Sequence, residues 1–349
     1  MPITHDSRLI SPPPLIVRAR RYLVQLLLLG LAVHLLLPQL TTLKHAGQVI
    51  RGMALWALAL AVVSQVLSYL GSGYLVQRIV ALVGQRLSVT RGTLITMAAS
   101  SIGVVAGGVV GTMAATYRWV RGSGVSPEGA WLAAWLPNLF FNNGAMTLAS
   151  VFGLIHLLMA HELSVVAAMG FGLILVLLSI MVSVVLWGLH RRTQLRQLSV
   201  RVATRWATMR RQTYDPAATE AAVGRFFTAW DALASGGWTG PAMGAALNMG
   251  FDMLTLYFLF MAAGHALSPG VLLVGYGLPQ LLAKLTILPG GVGIVEGTMA
   301  ALYHSLGVPE AVNVVVILAY RVLSFWLPTL FGFPLVPYLQ HISNLREVS

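Results

Sequence analysis

Four ionisable side chains lie within stretches of the sequence that are otherwise apolar: Asp252, Lys284, Glu296 and Arg321. A charge in hydrocarbon is costly, so such residues usually pair with one another or face a polar cavity, and they are candidates for function. Their formal charges sum to zero. Two interpretations follow: the four residues form two structural ion pairs that lock helices together, or they form a site for a charged ligand.

A helix-breaking segment between Lys284 and Glu296 favours the ligand site. The breaking residues are Pro289, Gly290, Gly291 and Gly293. Glu296 follows in the first turn of the next half-helix, whose N-terminus attracts anions such as phosphate, and glycines let an anion approach the backbone. Arg321 offers a planar donor fork that fits phosphate oxygens. Glu296 would cap the half-helix, or pair with Lys284 or Arg321 until an anionic substrate displaces it.

A polar cluster interrupts another long apolar run, at Pro137, Asn138, Asn142, Asn143 and Gly144. Amides and helix breakers in mid-membrane predict an unwound or cavity-facing helix, and interhelical hydrogen bonding explains any single asparagine at least as well. Arg118 ends a separate glycine-rich run. It would meet lipid headgroups there, or simply anchor the helix at the membrane surface.

The composition identifies the class of protein. The chain has 349 residues, 57% of them hydrophobic and only 9% charged, with a mean hydropathy of +0.79 and a formal charge of +12. A soluble domain carries about 25% charged residues, so the sequence predicts an integral membrane protein. Most arginines lie in short segments between uncharged runs, which favours membrane topology over nucleic-acid binding as the cause of the basicity. With no cysteine, disulfides, thiolate metal sites and thiol nucleophiles are excluded.

Eight apolar runs are long enough to form a membrane-spanning helix, since a helix needs roughly 20 residues to cross a bilayer. Seven contain no Asp, Glu, Lys or Arg, and the eighth contains only Arg321: they cover 22–43, 52–77, 92–117, 129–161, 163–190, 232–251, 253–283 and 311–340. The arginines near the N-terminus and the seven between Arg191 and Arg211 should both be cytoplasmic. Five runs separate them, so one run must enter and leave by the same face. The small-residue composition of 92–117 makes it the best candidate.

An internal repeat supports this assignment. Gly111-Thr-Met-Ala-Ala-Thr-Tyr117 recurs as Gly297-Thr-Met-Ala-Ala-Leu-Tyr303, and Gly107-Gly-Val recurs 183 residues later as Gly290-Gly-Val. The same 183-residue offset places Asn138 opposite Arg321. We therefore predict an all-α polytopic membrane protein with about six full transmembrane helices and two opposed re-entrant helical hairpins, near 92–117 and 269–306, in an inverted repeat. The alternative is seven to eight simple spans.

The predicted organisation places both termini in the cytoplasm of a bacterial cell, with the chain in the cytoplasmic (inner) membrane. The basic connection contains amphipathic stripes that would lie on the inner leaflet or cap the helix bundle. The predicted segments are a tail at 1–21, a first membrane half at 22–190, the connection at 191–238, a second membrane half at 239–340, and a tail at 341–349.

The second half also resembles a known family. Leu288-Pro-Gly-Gly-Val-Gly-Ile-Val-Glu296, then Gly307-Val-Pro-Glu-Ala311 and Arg321, are similar to the signature of the lysylphosphatidylglycerol synthase transmembrane (flippase-like) family. Arg91-Gly-Thr, Arg118 and Gly124-Val match its first half more loosely, and the resemblance covers nearly all of 20–340.

The best-known members of that family join this region to a soluble aminoacyl-transferase domain, while related stand-alone members are associated with polyprenyl-linked sugars or hopanoid lipids. This chain ends at Ser349, which leaves no room for the transferase domain and predicts a stand-alone member. The positions implied by the motif are Pro289, Gly290, Gly291, Gly293, Glu296 and Arg321.

From these observations we expect a flippase or scramblase that moves a phospholipid or a polyprenyl- or hopanoid-type lipid through a polar midplane cavity. The sequence has no P-loop, Gly-x-Ser-x-Gly or HExxH motif, and we expect neither enzymatic activity, nor a cofactor, nor a metal site. The main alternative is an accessory scaffold for a lipid-synthesising or glycosyl-transfer enzyme. A membrane-embedded lipid enzyme using Glu296 and Lys284 ranks last.

Overall fold

The computed structural model describes residues 43–160, 233–284 and 289–347, together with scattered positions between 191 and 231. Every regular element in these residues is helical. The first half contains α1 (Leu43–Gly52), α2 (Leu55–Ala81), α3 (Val89–Val105), α4 (Val109–Arg121), α5 (Pro127–Leu136), a π-helical turn (Pro137–Phe141) and α6 (Asn142–Met159). The second contains α7 (Thr239–Ala262), α8 (Pro269–Lys284), a 3₁₀ turn (Pro289–Gly291), α9 (Ile294–Ser305), α10 (Glu310–Arg321), a π-helical turn (Val322–Trp326) and α11 (Leu327–Glu347).

The two halves repeat the same order of elements. Each has a long helix (α2 or α7), a pair of shorter helices (α3 and α4, or α8 and α9), and a long helix interrupted by a π-helical turn. Both short pairs lie where the recurring sequence predicts hairpins. In the first, Gly107 and Gly108 have φ of 93° and 63°, a conformation that favours glycine, and reverse the chain between α3 and α4.

The long helices α2 and α7 pack closely and antiparallel. The Ala54 N–H donates to the Ala262 carbonyl at 2.9 Å near one end, and Ser68 Oγ donates to the Asn248 carbonyl at 2.9 Å near the middle. Gly71 makes the close approach possible, because a Cβ there would lie 2.5 Å from the Asn248 backbone nitrogen. α2 and α7 occupy the same place in the order of elements of the two halves and run in opposite directions, as the predicted inverted repeat requires.

Each helical pair packs on the interrupted helix of the other half. On one side, Ser101 Oγ of α3 donates to the Thr329 carbonyl of α11 at 2.8 Å. On the other, Gly277 of α8 lies against α6, where a Cβ would be 2.4 Å from Ser150 Oγ. This exchange holds the two halves together around a shared centre.

The fold is that of an all-α polytopic membrane protein, as the sequence predicts. Within the described part of the chain, four helical segments are long and apolar enough to cross a membrane: Leu55–Ala81, Pro127–Met159, Thr239–Ala262 and Glu310–His341. Large apolar side chains such as Leu55, Phe152 and Phe331 are exposed on the outside, as expected for a surface that faces lipid. The predicted spans at 22–43 and 163–190 lie outside the described residues, so the total of six crossings stays a prediction. Helix α11 continues to Glu347, past the predicted boundary at 340.

The α2–α7 contact predicts a specific cost for adding one methyl group. Gly71→Ala should destabilise the protein by about 1–3 kcal/mol, because the new Cβ meets backbone that cannot rotate away. Gly250→Ala on α7 is the matched control, since no atom lies within 4 Å of the position of its Cβ. Thermal unfolding in detergent micelles measures both. Equal unfolding midpoints for the two variants would contradict the packing described here.

Candidate functional site

A polar cavity of about 370 Å³ lies where the two halves meet. It is lined from both halves: α2, α3, α4 and the first π-helical turn on one side, and α7, α8, α10 and the second π-helical turn on the other. The charged residues of its lining are Asp252 and Arg321. Its position within helices of membrane-spanning length makes it a polar interior in an otherwise apolar protein.

Asp252 of α7 is held by three neutral donors from three different helices. Gln65 Nε2 donates to Oδ1 at 3.0 Å, while the hydroxyls of Tyr276 and Tyr320 donate to Oδ2 at 2.8 and 2.6 Å. Gln280 Nε2 in turn donates to the Tyr320 hydroxyl at 3.1 Å. Asp252 is buried, with 9% of its surface exposed, and the described residues place no cationic group within salt-bridge distance of it. Its charge is therefore balanced by hydrogen bonds rather than by an ion pair.

Glu296 and Arg321 form a buried ion pair at the break between α8 and α9. Arg321 Nε donates to Glu296 Oε1 at 2.7 Å, and the two residues are 4% and 8% exposed. The second carboxylate oxygen, Oε2, accepts the Gly293 N–H at 2.7 Å and so caps the first turn of α9. The predicted capping role and the predicted pairing with Arg321 thus occur together.

The backbone of the break also holds the arginine. Arg321 Nη2 donates to the Gly290 carbonyl at 3.0 Å, and the guanidinium lies over the Phe325 ring, 4.4 Å from its centroid. Gly290, Gly291 and Gly293 all have positive φ, between 62° and 84°. At Gly290 a Cβ would also lie 2.2 Å from the Phe325 ring. The Nη1 group has no acceptor among the described residues, and Arg321 lines the cavity, so the guanidinium keeps donors for a ligand.

The Asp252 cluster and the ion pair meet on one helix. Tyr320, which donates to Asp252, directly precedes Arg321, and both are the last residues of α10 before its π-helical turn. The Tyr69 hydroxyl of α2 donates to the Leu323 carbonyl within that turn. A shift of α10 would therefore alter both polar clusters together.

The predicted irregularity in the first half takes the form of the π-helical turn Pro137–Phe141. Pro137, Asn138 and Asn142 line the cavity as expected. Asn143 does not, and its Nδ2 contacts the Leu139 carbonyl of the preceding turn at 3.5 Å. The Oδ1 atom of Asn142 and the Oε1 atom of Gln65 are buried and have no hydrogen-bond partner.

Hydroxyl side chains cover the cavity wall on the first half. Thr96, Ser100, Thr112 and Thr116 each donate their one hydrogen to a carbonyl in their own helix. Their oxygens remain as acceptors. With the free amide oxygens of Asn142 and Gln65, this wall accepts hydrogen bonds, whereas Arg321 donates them.

Three residues that the sequence analysis groups with the site lie outside the cavity lining. Lys284 ends α8 half-buried, does not line the cavity and forms no ion pair with Glu296 in the described residues, because Arg321 takes that carboxylate. Arg118 is exposed in the last turn of α4, away from the cavity. Asn143 lies beside the cavity rather than in its wall. Pro289 begins the 3₁₀ turn of the break, while Gly291 and Gly293 shape the break and are not among the residues that line the cavity. Among the described residues, no three His, Cys, Asp or Glu side chains converge as a metal site would require.

Sequence reasoning missed Gln65, Tyr276 and Tyr320, the three donors to Asp252. A signal exists for the first of these: Gln65, Ser68, Tyr69 and Ser72 recur at three- and four-residue intervals in an apolar run, which predicts one polar face on a helix. The two tyrosines carry no such signal, because tyrosine is common in apolar helices.

The buried ion pair predicts a non-additive pair of substitutions. Arg321→Met alone should destabilise the protein by about 3–5 kcal/mol, because it leaves the Glu296 carboxylate buried without a cation. Adding Glu296→Gln should recover part of that loss, because the neutral amide is less costly to bury. Thermal unfolding of the wild type, both single variants and the double variant gives the coupling. Strictly additive losses would mean that the two side chains do not interact.

Comparison with known proteins agrees with the predicted family. A family model described as the lysylphosphatidylglycerol synthase TM region matches residues 22–332. A UPF0104 membrane protein of Pyrococcus horikoshii is 37% identical over 83 residues, which are 24% of this chain and 25% of that protein. A UPF0104 membrane protein of Methanothermobacter thermautotrophicus is 31% identical over 87 residues, 25% of this chain and 26% of the relative.

The match to these curated relatives is limited to one segment. That segment is about a quarter of the length of each relative. The family match, in contrast, covers both helical pairs, both π-helical turns and every residue of the charged break. On that extent, the chain belongs to the family of the lysylphosphatidylglycerol synthase transmembrane region.

Proposed function

We propose that this protein is a flippase or scramblase that moves a phospholipid, or a polyprenyl- or hopanoid-type lipid, between the two leaflets. The observation that carries the proposal is the polar cavity enclosed by helices of membrane-spanning length. A lipid headgroup crosses hydrocarbon slowly because its polar groups lose their hydration. A cavity with donors and acceptors replaces that hydration while the acyl chains stay in the bilayer.

The lining suits a phosphate with further polar groups attached. A phosphate oxygen would accept from the unpartnered Nη1 of Arg321, whose other nitrogens stay fixed by Glu296 and Gly290. Headgroup hydroxyl or ammonium groups would donate to the hydroxyl oxygens on α3 and α4 and to Asn142. Phosphate recognition and recognition of the other headgroup groups would thus use residues from different halves of the chain.

The inverted repeat suggests how the cavity would serve both leaflets. In the proposed arrangement, the two helical pairs are re-entrant hairpins that enter from opposite faces, because the helices preceding them, α2 and α7, are antiparallel. Their turns meet near the midplane. The N- and C-termini lie in the cytoplasm of a bacterial cell, and the membrane is the inner one, as the distribution of arginines favours. The protein acts as a transporter rather than an enzyme.

The proposal predicts lipid movement by the pure protein. In proteoliposomes containing an acyl-chain-labelled phosphatidylglycerol or polyprenyl phosphate, the wild type should accelerate exposure of the label to a membrane-impermeant quencher. Arg321→Lys should slow this movement about tenfold or more, because lysine keeps the charge but loses the fork that contacts Glu296, Gly290 and the phosphate. Arg86→Lys, in the exposed turn between α2 and α3, is the matched control and should equal the wild type.

A second variant tests the hydroxyl-bearing wall. Thr112→Val keeps the shape of a side chain that lines the cavity and removes its hydroxyl oxygen, so it should slow a lipid with a hydroxyl-bearing headgroup more than one whose headgroup is a bare phosphate. Equal effects on both lipids would remove the proposed role of this wall. If the wild type is no faster than protein-free liposomes with any lipid tried, the flippase proposal is wrong. A scaffold for a lipid-synthesising or glycosyl-transfer enzyme is then the hypothesis to pursue.

A further inference from the structure

We propose that Asp252 is a proton-binding site whose protonation is coupled to lipid movement. The coupling rests on the proposed function, whereas the proton site itself does not. Asp252 lies in the middle of α7, is buried, lines the cavity and is bound by neutral donors only. Water in the cavity would deliver the proton to its carboxylate.

The surroundings of Asp252 allow both the ionised and the neutral form. Burial without a counter-charge favours the neutral carboxyl, because an isolated charge in a low-dielectric interior is costly. Three hydrogen bonds from Gln65, Tyr276 and Tyr320 favour the ionised carboxylate. These opposed contributions are what a group that gains and loses a proton requires. Glu296 differs, since its carboxylate is paired with the Arg321 guanidinium.

Gln65 gives the neutral form a place for its new hydrogen. In the structure its Nε2 donates to Asp252 Oδ1, while its Oε1 is buried and unpartnered. Rotation of the amide by half a turn exchanges the two atoms. A protonated Asp252 Oδ1 can then donate to Gln65 Oε1, so that one residue satisfies both states without moving a helix.

The donor geometry favours a proton over a metal cation. A bound sodium ion needs several oxygen atoms with lone pairs directed at it. Here the three partners direct hydrogens at the carboxylate, and Gln65 turns its carbonyl oxygen away from it. The titratable or charged groups around Asp252 are Tyr69 on α2, Tyr276 on α8, and Tyr320 and Arg321 on α10. Asp252 is the carboxyl of this group, and free carboxyls exchange their proton at lower pH than tyrosine or arginine side chains do.

Tyr320 links the proton to the lipid site. When Asp252 is protonated, Oδ2 needs fewer donors, so the Tyr320 hydroxyl, which also accepts from Gln280 Nε2, is bound less firmly to the carboxyl group. The next residue is Arg321, which holds Glu296 and lines the cavity. Proton binding would therefore weaken the hydrogen bond that fixes Tyr320 at the end of α10. The guanidinium of the next residue, which contacts the headgroup, would then change position.

Infrared titration of the pure protein tests the proton site without any transport. In pH-difference spectra, the wild type should show a carboxyl C=O band that grows as the pH falls and that is missing in Asp252→Asn. Glu296→Gln is the matched control, a second buried carboxylate that should leave the band in place. Tyr320→Phe, which keeps the carboxylate and loses one donor, should move the midpoint of the band to higher pH by about one to two units. A band that persists in Asp252→Asn, or that no variant shifts, overturns the proton site.

Transport in a pH gradient tests the coupling. In proteoliposomes, the ratio of the lipid-movement rates with and without the gradient should differ from one for the wild type and fall to one for Asp252→Asn. Replacement of the pH gradient by a sodium gradient should have no effect. A ratio that stays unchanged in Asp252→Asn, or a response to sodium alone, overturns the coupling. If the wild type moves no lipid at all, the proposed function and the coupling fail together, and the infrared band still decides whether Asp252 binds a proton.

Discussion

The close antiparallel contact between α2 and α7 is the interaction on which the rest of the structure depends. In a bilayer, helices gain little from burying apolar side chains against each other, so close packing and hydrogen bonds hold them together. Gly71 brings the α2 backbone against Asn248, and Gly244 brings α7 against the backbone of Leu75. This proximity lets short polar side chains reach across, as Ser68 does to Asn248. Without it, Gln65 would not reach Asp252.

Around this contact, the protein places its buried charges by two different means. Glu296 and Arg321 satisfy one another and the irregular backbone of the glycine-rich break, where Gly290 and Gly293 supply the carbonyl and the N–H. Asp252 instead receives three neutral donors from helices far apart in sequence. The ion pair fixes the local backbone shape of the break. The neutral donors fix the position of the Asp252 carboxyl group and allow it to be either ionised or protonated. The two clusters therefore suit different tasks, although they meet at neighbouring residues of α10.

The extent to which the sequence predicts the structure follows from how local each interaction is. The sequence predicts the glycine-rich break and the cap by Glu296, because each depends on residues a few positions apart. It also predicts the repeat, because the same short motif is legible around both Gly111 and Gly297. The π-helical turn at Pro137 is predicted only as an irregular segment. Of the two cations that the sequence offers as partners for Glu296, the structure pairs Arg321 rather than Lys284, a choice that spacing along the chain cannot make. The donors to Asp252 lie up to 187 residues away, and a single sequence does not encode such pairings visibly.

The charges break the symmetry of the repeat. By the recurring Gly-Thr-Met-Ala-Ala motif, the position of Glu296 corresponds to Val110 in the first half, and by the 183-residue offset Arg321 corresponds to Asn138. In an inverted repeat with identical halves, exchanging the arrangements of the two halves would give a second state, open to the opposite side, of the same energy. Among the residues that the structure describes, the buried ion pair and the buried carboxylate all lie in the second half. The two states would differ in energy, and the resting protein would favour one side of the membrane even without a gradient.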